Sequence, residues 1–185
     1  VWIGTWKGLN LYDKQTCKII PFPDTRLLDK GINYMAADKE DNIWIGAGNT
    51  IYRCNSTASI AREYDIFGSQ QNKHTINFVY QDREGNMWVL TGGGLFKYDD
   101  KSDSFITYPP LGKNNAPYTM CQDQSGNYWI GTWGEGLWQF FPQKEGEECY
   151  KRHHIINSRS GETEPIFYSM TPVSYTHLTL PTNRE

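Results

Sequence analysis

The chain has 185 residues, of which 38% are hydrophobic, 15% aromatic and 21% charged. That is enough apolar material for one ordinary domain with a core, and it rules out a disordered polypeptide. Eighteen Lys and Arg against 21 Asp and Glu leave a net charge of -3, so nothing in the charge balance marks a nucleic-acid or anionic-membrane surface.

No run reaches the ~18 apolar residues of a spanning helix, while 7 Trp, 12 Tyr, 8 Phe and 17 Gly favour strands and tight turns. The first residues, Val1-Trp2-Ile3-Gly4-Thr5, contain neither an initiator Met nor the regions of a signal peptide, so the chain is expected to start inside a structural motif. The motif returns as Ile43-Trp44-Ile45-Gly46-Ala47, Met87-Trp88-Val89-Leu90-Thr91 and Tyr128-Trp129-Ile130-Gly131-Thr132. Its tryptophans are spaced by 42, 44 and 41 residues, the signature of an internal repeat. Asp38 to Asn42, Asp82 to Asn86 and Asp123 to Asn127 precede the last three copies. Gly8-Leu9-Asn10-Leu11-Tyr12, Gly94-Leu95-Phe96-Lys97-Tyr98 and Gly136-Leu137-Trp138-Gln139-Phe140 follow, with Thr50-Ile51-Tyr52-Arg53 as a degenerate copy.

Each unit reads as four short strands. The first is an apolar stretch at 33–37, 77–81 or 118–122, and a D-x-x-G-N turn leads from it into the Trp strand. In that turn Asp38, Asp82 or Asp123 accepts backbone N–H groups, and Gly85 or Gly126, with Asp41 in the second copy, supplies a left-handed backbone. The Gly-Leu segment is the third strand, and 17–22, 61–67, 105–108 or 150–156 the fourth.

The Trp strand is apolar at consecutive positions, and successive side chains on a strand point to opposite faces. Both faces of each small sheet must therefore be covered, and only neighbouring copies can cover them. With four strands per unit and a period near 42, sheets stacked face to face form a β-propeller. Trp2, Trp44, Trp88 and Trp129 are its structural repeat residues. Helical repeats conflict with the Gly, Asn and β-branched content, leucine-rich repeats are shorter, and the recurrent Gly-His and Trp-Asp dipeptides of WD40 blades are missing.

The expected architecture is all-β, an open arc of about four four-stranded antiparallel blades spanning 1–172. The blades fall at about 1–29, 30–72, 73–114 and 115–164, with 165–172 starting another through a strand near Ile166 to Met170. Residues 173–185 match nothing upstream and resemble translated adaptor sequence. A Trp-rich face exposed at each end of the arc should make the isolated chain self-associate or become partly molten.

Ligands of propellers usually meet the face formed by loops entering the first strand and by turns between the second and third. Candidate ligand-binding residues there are Trp6, Lys7, Asn33, His74, Asn77, Tyr118, Trp133 and Glu135. Trp6 and Trp133 occupy the same slot in different blades. Aromatics beside amides and charges suit a sugar ring, although caps on the blade tops explain these tryptophans as well. Lys7, Lys30, Lys73, His74 and Glu135 form no evident acid–base pair, so no catalytic residue is assigned.

Cys17, Cys54, Cys121 and Cys149 lack C-x-x-C spacing and read as small buried apolar groups, with a disulfide left open for an extracytoplasmic chain. Adjacent His153 and His154 point to opposite faces and do not share a metal. Gly92-Gly93-Gly94 is a corner without a phosphate signature, and Glu145 to Glu148 a solvated acidic loop. No metal and no cofactor are expected.

The unit D-x-x-G-N-x-W-I-G-T-x-x-G-L-x-x-Y-D, best seen at 123–140 and 82–99, resembles the two-component regulator propeller repeat. Thr50 in a Gly slot and Leu90 in the Ile-Gly slot depart from it. The resemblance implies a piece of a seven-bladed propeller in the periplasmic sensor region of a hybrid two-component sensor histidine kinase. It associates such regions with sensing polysaccharide breakdown products, with the kinase elsewhere in an inner-membrane chain. Implied partners are an oligosaccharide or other small ligand, the remaining blades, and a second copy of the full-length receptor. An enzyme on a propeller scaffold, a lyase or one acting on glycosides, and a protein-interaction scaffold are the competing readings.

Overall fold

A computed structural model describes residues 1–68, 74–112 and 116–172; Lys73 and the expected tail at 173–185 lie outside them. The fold is all-β, as expected. Four antiparallel sheets follow one another along the chain, each a meander whose strands keep their sequence order. The first has three strands, β1 (Trp2–Thr5), β2 (Gly8–Asp13) and β3 (Lys18–Pro21). The second is β4 (Ile32–Ala37), β5 (Ile43–Ala47), β6 (Thr50–Cys54) and β7 (Ile60–Tyr64). The third is β8 (Ile76–Gln81), β9 (Met87–Thr91), β10 (Gly94–Asp99) and β11 (Ser104–Thr107). The fourth is β12 (Ala116–Gln122), β13 (Tyr128–Trp133), β14 (Leu137–Phe140) and β15 (Tyr150–His153). Beyond it, Ile166 makes a single bridge to Trp133 rather than a full strand.

The tryptophans share no common interior. Three separate cores lie between successive sheets: Trp2 helps close the first with Leu9, Ile45 and Tyr52, Trp44 fills the second with Val79, Val89 and Phe96, and Trp88 fills the third with Met120, Ile130 and Phe140. Trp44 and Trp88 are each 1% exposed. Trp2, Trp44 and Trp88 thus each point towards the sheet that follows, and the outer face of the first sheet carries no Trp, which corrects the expectation of a Trp-rich face at both ends. The last sheet presents Trp129, half-buried beside His153 at 5.0 Å, on its open face. On the first sheet, strand alternation places Ile3, Tyr12 and Ile19 on the open face, opposite Trp2 and Leu11.

Close stacking is written into the residue two after each Trp. A Cβ added to Gly4, Gly46 or Gly131 would stand 2.7, 2.6 or 2.7 Å from Ile32, Ile76 or Phe167 of the next repeat. These glycines are there for sheet approach. Gly46→Ala is therefore expected to destabilise by about 1–3 kcal/mol by wedging the second and third sheets apart. A urea midpoint unchanged from the parent chain would contradict that packing. In the third repeat Leu90 takes this position and is buried in the core it faces.

The D-x-x-G-N turns do more than reverse the chain. Asn42 N–H donates to Asp38 Oδ1 at 2.8 Å, and the left-handed position has φ 61° at Asp41, 93° at Gly85 and 84° at Gly126. The second carboxylate oxygen of each Asp accepts the indole N–H of the Trp six residues on: Trp44 to Asp38 at 2.7 Å, Trp88 to Asp82 and Trp129 to Asp123 at 2.8 Å. The turn Asp therefore satisfies the one polar atom of an otherwise buried side chain.

Cys54, Cys121 and Cys149 are buried and Cys17 is exposed, all as free thiols. Burial pushes the Cys54 thiol up to about 12, which makes it inert at neutral pH.

Candidate functional site

The innermost strand of each complete sheet is kinked at one position. Pairing slips between Ile32 and Tyr34 in β4, between Ile76 and Phe78 in β8 and between Pro117 and Thr119 in β12. Asn33, Asn77 and Tyr118 are the extra residues of these β-bulges, freed from cross-strand pairing and re-aimed by the bend. The two amides link neighbouring blades: Asn33 Nδ2 donates to Ile76 O at 3.1 Å, and Asn77 Nδ2 to Pro117 O at 3.0 Å. Their carbonyl oxygens have no hydrogen-bond partner among the described residues.

Together these bulges line a cavity of about 380 Å³ with Thr5, Trp6 and Thr75. The structure thus brings together four of the sequence-derived candidates, Trp6, Asn33, Asn77 and Tyr118. The Trp6 indole lies over Gly31, where an added Cβ would come within 3.2 Å, and remains 84% exposed. Its broad apolar face is open to the cavity mouth rather than buried as a cap.

Tyr118 also joins a second group. Its ring centroid lies 5.8 Å from Trp133 and 6.1 Å from Tyr168, and Trp133 and Tyr168 are 5.0 Å apart. All three rings are solvent-exposed. Tyr168 was missed by sequence reasoning. The signal was present, because Phe167-Tyr168-Ser169-Met170 aligns with Pro117-Tyr118-Thr119-Met120 and puts Tyr168 at the bulge position.

The other candidates stand apart from the cavity. Lys7 is exposed in the turn after β1. Glu135 pairs with Arg152 at 3.0 Å. His74 lies against the Gly92-Gly93 corner, where a Cβ on Gly93 would stand 2.5 Å from its ring. The cavity lining is amide, hydroxyl and aromatic, without carboxylate or imidazole, a chemistry that holds a neutral polar ligand and offers no proton-transfer pair.

Residues 111–134 match the two component regulator propeller. The regulator propeller match covers β12 and β13 with the D-x-x-G-N turn between them, and overlaps the unit read at 123–140 over residues 123–134. Among solved structures, the chain is similar to the extracellular domain of BT4673 from B. thetaiotaomicron, described as a hybrid two component system. The identity is 23% and the TM-score 0.71, over 90% of this chain and 22% of that one. The corresponding domain of BT3049 from B. thetaiotaomicron, also described as a hybrid two component system, aligns at 24% identity and TM-score 0.66, over 82% and 21%. Virginiamycin B lyase from Staphylococcus aureus aligns at 14% identity and TM-score 0.63, over 84% and 51%. These likenesses show the propeller fold. The chain spans about a fifth of the length of the two extracellular domains. No curated protein sequence matches it.

Proposed function

We propose that this chain is part of the extracellular, periplasmic propeller of a two-component sensor and that the cavity between its inner bulges receives an oligosaccharide. In this reading the ligand is a polysaccharide breakdown product, and the signal passes to a histidine kinase elsewhere in a membrane-anchored parent chain. The fragment itself does no chemistry.

The observation that carries the reading is the pairing of an open indole face with amide groups at one cavity. A sugar ring has an apolar face that stacks on an indole and a rim of hydroxyls that donate to amide carbonyls. Asn33 and Asn77 offer such carbonyls, and Trp6 the platform. The family match supports placement in a sensor, since regulator propellers are named for that setting. The fold likeness to a lyase favours no enzymatic reading at this cavity, whose lining has no acid–base pair.

Titration calorimetry against a panel of oligosaccharides tests it. Trp6→Ala is expected to weaken binding at least tenfold and Trp133→Ala severalfold, with the melting temperature unchanged because both rings are solvent-facing. Unaltered affinity in both variants would remove the aromatic residues from the site. Binding by none of the panel would remove the sugar.

A further inference from the structure

The turns that follow the Trp strands of the first and fourth repeats are pinned in the same way. The Thr5 hydroxyl donates to Gly8 O at 2.8 Å and accepts Lys7 N–H at 3.2 Å. The Thr132 hydroxyl donates to Gly136 O at 2.8 Å and accepts Glu135 N–H at 3.1 Å, while the Gly134 and Gly136 N–H groups both donate to Pro165 O at 2.9 Å. The residue after that Thr, or after Ala47 in the second repeat, is in chain order Trp6, Gly48, Gly92 and Trp133. Two indoles therefore stand on fixed turns, and the two repeats between them carry no side chain at the same position.

The stretch between the indoles is polar and accessible. A Cβ on Gly48 would meet nothing within 4 Å, and the His74 ring lies 3.1 Å from where a Cβ on Gly92 would stand. At the bulges the same two repeats supply Asn33 and Asn77, whose Nδ2 groups are spent on Ile76 O and Pro117 O, so that their oxygens remain for a ligand. In the fourth repeat the bulge residue is Tyr118, which lines the cavity with Trp6 and also lies 5.8 Å from Trp133. An apolar path thus leads out of the cavity to the second indole. Trp133 is 48% exposed despite that contact, so its ring is not spent as a cap. The cavity, at about 380 Å³, falls at the small end of the roughly 300–1,000 Å³ range of ligand sites, and a sugar chain that fills it must continue over the surface.

We propose that Trp6 and Trp133 are the two ends of one groove, and that its ligand is a linear oligosaccharide long enough to stack a ring on each indole. The inner sugars pass over the turns of the second and third repeats, with hydroxyls donated to Asn33 and Asn77. One sugar per repeat makes four units the shortest chain that engages both platforms. The proposal rests on the sugar reading of the cavity and adds to it the length of chain that the site selects. The gain from the second indole comes at little cost. Its turn is already held in place, so no ordering is needed on binding, and once a ring sits on Trp6 the contact with Trp133 is made within the complex. A disaccharide seated in the cavity reaches Trp6 and the amides but not Trp133.

The test is titration calorimetry of the 185-residue chain with cello-, xylo-, malto- and β-1,3-gluco-oligosaccharides of two to six units. In a series that binds, affinity is expected to rise at least tenfold between two and five units and then to level off. Trp6→Ala should weaken every length. Trp133→Ala should leave the disaccharide unchanged and weaken the pentasaccharide severalfold, and Trp133→Phe should restore much of that loss, because a smaller ring still offers a stacking face. Equal affinity for two and five units, or a Trp133→Ala effect of the same size at both lengths, would overturn the proposal and leave the Trp6 cavity as a sugar site. Binding at no length in any series would overturn the sugar reading and the proposal together.

Discussion

Trp88→Ala is expected to cost about 3–5 kcal/mol of folding stability, among the largest losses any single side chain here can produce. Trp88 is sealed between the third and fourth sheets, with ring centroids of Tyr108, Tyr128 and Phe140 at 5.5, 5.6 and 5.4 Å. The Lys97 ammonium lies 5.5 Å from its ring centroid on the outer side. Truncation removes the apolar area and leaves a void that rigid β-sheets on either side cannot collapse into. The damage concerns adhesion between blades as much as the blade that carries the residue. Trp6→Ala is the matched control: it deletes the same side chain from a site 84% exposed, and its effect is expected within about 0.5 kcal/mol. Urea unfolding of the two variants separates them, and equal midpoints would mean that the sheets do not depend on each other for burial.

Asp82→Ala is expected to cost a similar amount, about 3–5 kcal/mol, for an electrostatic reason. Its carboxylate takes the Trp88 indole N–H at 2.8 Å, the Asn86 backbone and side-chain amides at 2.8 Å each, and the Tyr128 hydroxyl of the next blade at 2.7 Å. Removing the acceptor leaves buried donors from two blades without partners. Asp82→Asn keeps one acceptor oxygen and should cost less, about 1–2 kcal/mol.

The same site carries a pH dependence. Burial by itself would raise the Asp82 carboxyl, but the hydrogen bonds from Trp88, Tyr128 and Asn86 outweigh it and hold the group below its ordinary value. Asp38 and Asp123 are lowered by the same balance with Trp44 and Trp129. A carboxyl lowered in the folded state stabilises the fold fully above its unfolded pKa of about 3.9 and loses that contribution as pH falls through the lower folded value. Urea midpoints should therefore be level from pH 7 to about 5 and decline below about 4, more steeply in the parent chain than in Asp82→Asn. Equal acid slopes would show that the Asp–Trp bonds do not need the charge.

Much of this molecule was legible before any coordinates. The 42-, 44- and 41-residue spacing of the tryptophans established a repeat, and consecutive apolar residues at Ile43-Trp44-Ile45 required cover on both faces of a small sheet. That requirement is local physics, since a strand exposes two faces and has no other way to hide them. The left-handed turn positions at Gly85 and Gly126 were equally local, because only a short list of residues tolerates that backbone. Four of the eight ligand candidates, Trp6, Asn33, Asn77 and Tyr118, did gather at one cavity, because equivalent positions of a repeat return to equivalent places on the arc.

Other features needed the stacked sheets. Alternation says that neighbouring side chains part to opposite faces, but not which neighbouring sheet lies on either side. Only the assembled fold shows that Trp2, Trp44 and Trp88 each face the sheet that follows. The reach of a carboxylate to an indole six residues on, and the bulges that turn Asn33, Asn77 and Tyr118 out of register, likewise depend on how strands pair. Spacing along one strand determined the architecture, and packing between strands decided the site, because a bulge or a face acquires its meaning from the partner across it.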